Sequence, residues 1–218
     1  MKERGARSEK LPDQNQPVTD TNQSKYAQRR LWPYILLATV LFLISLVSGL
    51  LVSPEFASGA LEELKLTLKP LAQLFNPLVL LVIIFINNAI KALAALVLGI
   101  VLGLPSLFFL GANGFMVGVT ATALKSSLGC GVIAASLAPH GIIEIPALVL
   151  SSALGLKIGW ESLKYLTRQK SAVKAQLQQS IRVYFKWILV SLFCAAVIEV
   201  FITPLFILLV GGKELFIK

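Results

Sequence analysis

The sequence predicts an all-α membrane protein, a bundle of about five transmembrane helices. Three observations carry that prediction. Of the 218 residues 56% are apolar, against only 14% charged, where water-soluble domains carry about 25% charged residues. The apolar residues also gather into runs: 35–53 hold no charge, and 77–104 hold one, Lys91. Runs of about 20 apolar residues cross a hydrocarbon core of about 30 Å as a helix. Finally, most basic residues flank these runs, which is how membrane proteins fix their orientation.

Residues 1–30 read as a disordered basic cytoplasmic tail. They mix charges with Pro12, Pro17 and several amides, have no apolar period, and end in Arg29 and Arg30. The membrane bundle then occupies 31–211. No cleavable signal peptide is expected, because the first apolar run is long enough to remain as an anchor. Span one covers about 31–52, with Trp32 and Tyr34 at headgroup depth. Residues 54–76 carry Leu61, Leu64, Leu68 and Leu71 at helical spacing among charges, and read as a surface amphipathic segment. Span two covers about 77–104 and is expected to end at Pro105. Span three covers about 106–124, followed by a turn at 125–131. Span four, 132–156, is interrupted by Pro139, Gly141 and Pro146, so the helix is expected to be broken at Pro139–Gly141, by a kink or a short re-entrant piece. Residues 157–186 form a basic cytoplasmic loop of helical character, 187–210 the fifth span, and 212–218 a short C-terminal tail. The tail and the 157–186 loop hold seven Lys plus Arg each, and the opposite side holds five. That asymmetry puts the N-terminus in the cytoplasm and the C-terminus outside.

The informative chemistry lies inside these spans. A charge at the bilayer centre costs on the order of 2.5–3.5 kcal/mol on insertion scales. Yet Lys91 falls mid-way in span two, Glu144 in span four and Glu199 in span five. Asn87 and Asn88 precede Lys91 by about one turn, Asn113 sits mid-way in span three, and His140 lies four residues before Glu144. Positions four apart share a helix face. Lys91, Glu144 and Glu199 are therefore expected to turn inward and pair, with the asparagines and His140 completing the hydrogen bonds. One lysine cannot balance two carboxylates, so one of them is expected to hold a proton. The cluster serves either as a register-fixing ion-pair network or as a functional site.

Small residues form a second set. Gly99 and Gly103 make a G-x-x-x-G pair, as do Gly114 and Gly118, with Gly111 and Gly155 near helix faces. Such spacing suits close approach inside one chain, the favoured reading, or between two copies in a homo-oligomer.

Several function classes fall away. The net charge of +9 belongs to span flanks and points to membrane lipid, not to nucleic acid. Cys130 and Cys194, both in apolar surroundings, read as packing residues and not as a disulfide or a metal pair. His140 is the single histidine, no H-E-x-x-H motif is present, no glycine loop cradles phosphate, and no enzyme, cofactor or metal is expected.

The run Asn113-Gly114, the stretch Pro139-His140-Gly141-Ile142-Ile143-Glu144-Ile145-Pro146-Ala147, and Ile198-Glu199 ahead of Pro204 together resemble the stage II sporulation protein M family, over about residues 32–211. The resemblance implies a five-span protein of bacteria and archaea. It implies a non-enzymatic scaffold that recruits membrane or envelope partners, as the sporulation member holds peptidoglycan-degrading proteins at a septal membrane. The basic tail lies outside the pattern and inherits no role. A transporter or channel for an ion, proton or lipid, built on the midplane residues, is the alternative.

Overall fold

The computed structural model describes residues 31–72, 76–128 and 130–210, and all of its regular structure there is helical. The expected tails at 1–30 and 212–218 lie outside the described residues. Among the described residues eight α-helical segments follow in order: α1 (Trp32–Leu50), α2 (Pro54–Ala72), α3 (Pro77–Val97), α4 (Leu104–Leu128), α5 (Cys130–Leu166), α6 (Val173–Val183), α7 (Leu189–Val197) and α8 (Thr203–Leu209). The last three run together through π-helical turns at Tyr184–Ile188 and Ile198–Ile202. Five helices are thus long and apolar enough to cross a membrane: 32–50, 77–100, 104–125, 130–166 and 173–209.

Local chemistry sets several of the ends. Ser53 caps α2 by accepting the Phe56 N–H, with Pro54 in the first turn, the usual serine-then-proline start. The backbone N–H of Glu55, and after it the Ser53 hydroxyl, hold the Glu55 carboxyl below its ordinary range. Asn76 caps α3 in the same way, accepting from Val79 N–H at 3.0 Å ahead of Pro77. The expected stop at Pro105 falls earlier. The chain leaves α3 through a 3-10 turn at Leu98–Ile100 and reverses at Leu102 and Gly103, which have φ of 54° and 76°. Pro105 instead sits in the first turn of α4, where its missing N–H is not needed.

The expected break at Pro139–Gly141 is not seen. α5 runs without interruption for 37 residues, with Pro139 and Pro146 inside it. A proline removes one hydrogen bond and crowds the turn before it. In hydrocarbon, opening the helix would orphan several more backbone groups with no water to receive them, so the unbroken helix is the lesser cost. Both cysteines are free and exposed, so the packing role expected of them is also corrected.

α5 is the axis of the bundle. One core lies where α3 and the 184–197 segment meet it, through Ala92, Leu96, Leu148, Ile158, Tyr184, Ile188 and Leu192. A second lies where α1 and α4 meet it, through Ala38, Phe42, Leu110, Val149 and Ala153. α2 rides on α4 by Ala57, against Val119 and Ala123. Glycine decides how closely backbones approach. A Cβ at Gly118 would overlap the Leu46 carbonyl and Gly49, one at Gly99 would overlap Gly155, and one at Gly159 would overlap the Leu102–Gly103 turn. Gly114 meets the Phe42 carbonyl and Gly103 meets Leu156, while a Cβ at Gly111 would make only ordinary contact with Ser45 Oγ. Gly49, Gly155 and Gly159 are thus as tightly placed as the members of the two G-x-x-x-G pairs.

Three hydroxyls tie α3 to the bundle. Tyr184 Oη donates to the Ala89 carbonyl at 2.8 Å, Ser151 Oγ to Ala92 at 2.6 Å, and Ser106 Oγ to Ala95 at 2.6 Å. The three acceptors recur every third residue along one buried face, and each donor comes from a different element.

Residues 157–186 are less a loop than the end of a helical hairpin, since only Thr167–Ala172 are non-helical. The buried Glu161 carboxylate holds that connection. One oxygen pairs with Lys164 and the other accepts the Ala172 N–H at 3.0 Å. Lys157, Ser162, Gln176 and Ser180 are buried nearby in the same hairpin.

Candidate functional site

Continuity of α5 is what assembles the polar site. Because the helix does not open at Pro139, His140 and Glu144 stay one turn apart on a common face, with Ser136 one turn further back. Ser136 Oγ is shielded and has no hydrogen-bond partner among the described residues. From the fifth span, Glu199 reaches the same place. Its π-helical turn immediately precedes Thr203-Pro204. Proline cannot donate to the carbonyl of the turn before it and crowds that turn, and a widened turn relieves the crowding. Single π turns inside α-helices occur frequently at functional sites.

The imidazole of His140 and the carboxylates of Glu144 and Glu199 each bring one atom within 4.8 Å of the other two, and all three side chains are half-buried. The buried Thr203 hydroxyl lies 3.5 Å from His140 Nδ1. Beside them is a cavity of about 70 Å³ walled by Phe42, Asn113, Val117, Leu137, His140, Gly141, Glu144, Ile145 and Leu148. That volume is enough for a few water-sized occupants. Asn113 spends its amide N–H on the Phe109 carbonyl of its own helix, at 2.7 Å. Its Oδ1 accepts nothing within the described residues. The polar face of the cavity is therefore rich in acceptors.

The other expected members stand further off. Lys91 is half-buried. Among the described residues, however, no ion pair within 4.0 Å joins Lys91 to either glutamate. Asn88 is buried and accepts a long 3.4 Å contact from the exposed Asn87. The asparagines of α3 thus interact with each other and not with the carboxylates. Sequence reasoning missed Ser136 and Thr203. The four-residue series 136–140–144 was a readable signal for the first, but nothing local pointed to the second.

Over residues 38–204 the chain matches the family described as Stage II sporulation protein M. The chain belongs to the stage II sporulation protein M family. Two uncharacterized proteins of Methanocaldococcus jannaschii are similar to it. One is 34% identical over 124 residues, covering 55% of this chain and 68% of the relative. The other is 28% identical over 131 residues, covering 60% of this chain and 55% of the relative, so the chain spans little more than half of that protein. No solved structure matches. As a member of the stage II sporulation protein M family with five helices fit to cross a bilayer, the chain is a membrane protein. The family's match takes in every member of the polar site, from Asn87 to Glu199.

Proposed function

We propose that this membrane protein binds a small cation or a proton at its intramembrane centre and passes it across the bilayer or uses it to gate a change of shape. The observation that carries the reading is the convergence of Glu144, Glu199 and His140 beside a cavity to which Asn113 brings one further side-chain acceptor. Two carboxylates this close in a low-dielectric setting repel unless a positive charge lies between them. Lys91 forms no direct ion pair with either, so part of that charge is left for an occupant. Ionisable groups inside spans mark ion and proton pathways.

The test is flux. Purified protein in liposomes, with a pH-sensitive or cation-sensitive dye inside, should give a gradient-driven signal at least tenfold above empty vesicles. Glu144→Gln and Glu199→Gln should each abolish it while insertion and monodispersity persist. Wild-type flux in both variants would end the reading.

A scaffold role is the second reading, and it rests on the family together with α2. That helix leans on the bundle through Ala57 while Glu55, Phe56, Glu62 and Glu63 stay exposed, a mixed polar and aromatic face suited to a protein partner in the envelope. Cross-linking from position 56 or 62 in native membranes should then trap one recurrent neighbour. Unchanged cellular function when 54–63 is exchanged for an unrelated amphipathic helix would argue against it.

A further inference from the structure

We propose that His140, Glu144 and Glu199 form a binding site for a divalent transition-metal ion. The proposal rests on the reading that the intramembrane centre takes a cation, and it names the class of cation. Three facts carry it. First, the donor set is one imidazole nitrogen and two carboxylate oxygens. Imidazole suits zinc, copper, iron and nickel, whereas sites for magnesium and calcium are built of oxygen alone. Second, the spacing fits. Bonds of about 2.0–2.2 Å from a tetrahedral ion set its ligand atoms about 3.4 Å apart. The three donors here lie within 4.8 Å of one another, so closing on an ion takes a shift of about 1 Å at the ends of side chains, two of them long and flexible. Third, the surroundings supply what such ligands need. Thr203 Oγ1 at 3.5 Å is placed to accept from His140 Nδ1–H, which leaves Nε2 as the metal-binding nitrogen. Histidine ligands are commonly held in this way. The cavity beside His140 and Glu144, where Asn113 stands, gives room for a fourth ligand, either its Oδ1 or water.

Charge favours the same occupant. A divalent ion neutralises the two carboxylates outright, and Lys91, unpaired with them at 4.0 Å, competes for neither oxygen directly. The same cation count could be met by protons on the glutamates, and the experiment is built to separate the two.

The probe is Co²⁺. Full-length protein carrying no polyhistidine tag, in detergent micelles, is equilibrated with Co²⁺ and followed by visible d–d absorption and by metal-to-protein ratio after desalting. The expected result is one tightly held ion per chain, with absorption of a site of low coordination number. His140→Gln and Glu199→Gln should each weaken binding at least tenfold, while Glu62→Gln, on the exposed face of α2, leaves it unchanged. Equal binding by wild type and a Glu144→Gln/Glu199→Gln double variant, with both monodisperse, would overturn the metal assignment. Glutamate-dependent proton flux in that event keeps the cation reading and assigns protons as the occupant. Absence of both signals removes the two together.

Discussion

At the scale of single residues, Gly141 separates space from stability. It is buried, it walls the cavity, and a Cβ there would meet only Ile145 Cδ1 at an ordinary 3.6 Å. Gly141→Ala is therefore expected to leave the melting temperature equal or higher, since alanine is favoured over glycine in a helix by about 1 kcal/mol. The added methyl occupies cavity space, so Co²⁺ binding or flux should fall severalfold. A thermal-shift assay run beside the binding assay checks both halves. The charged members of the site were legible in the sequence because hydrocarbon makes a lone charge conspicuous: Glu144, Glu199 and His140 were picked out and do converge. What was not legible was who pairs with whom. Lys91 was expected to form an ion pair, but the asparagines one turn before it contact each other, and rotation about a helix axis is not written in hydropathy. Thr203 gave no signal, because a hydroxyl next to a proline reads as local backbone chemistry.

At the scale of elements, the two prolines of α5 misled for an instructive reason. Proline opens helices in water, where freed carbonyls are hydrated. In a bilayer the same carbonyls have nowhere to go. The continuity that results is what keeps His140 and Glu144 on one face. α3 shows the complementary device. Its Ala89, Ala92 and Ala95 carbonyls are held by Tyr184, Ser151 and Ser106. Replacing these with Phe, Ala and Ala is expected to cost about 0.5–1.5 kcal/mol each. The triple variant should lower the midpoint of thermal unfolding in detergent by several degrees more than any single one, and unchanged midpoints would show that apolar packing alone seats α3. The five runs, and caps such as Asn76 before Pro77, were readable in advance. The π-helical turns at 184–188 and 198–202 were not: no residue pattern marks the first, and Pro204 behind the second marks a crowded turn without naming its form.

At the scale of the whole molecule, five crossings, if every one of the five long apolar helices spans the bilayer, would put the two termini on opposite faces. From the basic-residue asymmetry the N-terminal side is expected in the cytoplasm. Reporter fusions at residues 1 and 218 should label on opposite sides, with the N-terminal one and position 170 protected in intact cells; co-labelling of both termini would remove the five-span topology. The long helices also exceed a bilayer's hydrocarbon thickness in length. At 1.5 Å per residue, the 37 residues of α5 measure about 55 Å against a hydrocarbon thickness of about 30 Å. Near its end the Glu161 carboxylate staples the six-residue connection to the fifth span. The two longest helices are thereby joined like the arms of tweezers, fixed at the pivot. Glu144 lies 17 residues from that pivot, about 25 Å along the arm. A swing of about 5° between the arms would then carry Glu144 and Glu199 about 2 Å apart at that radius, a wide stroke at the grip from a slight turn at the fulcrum.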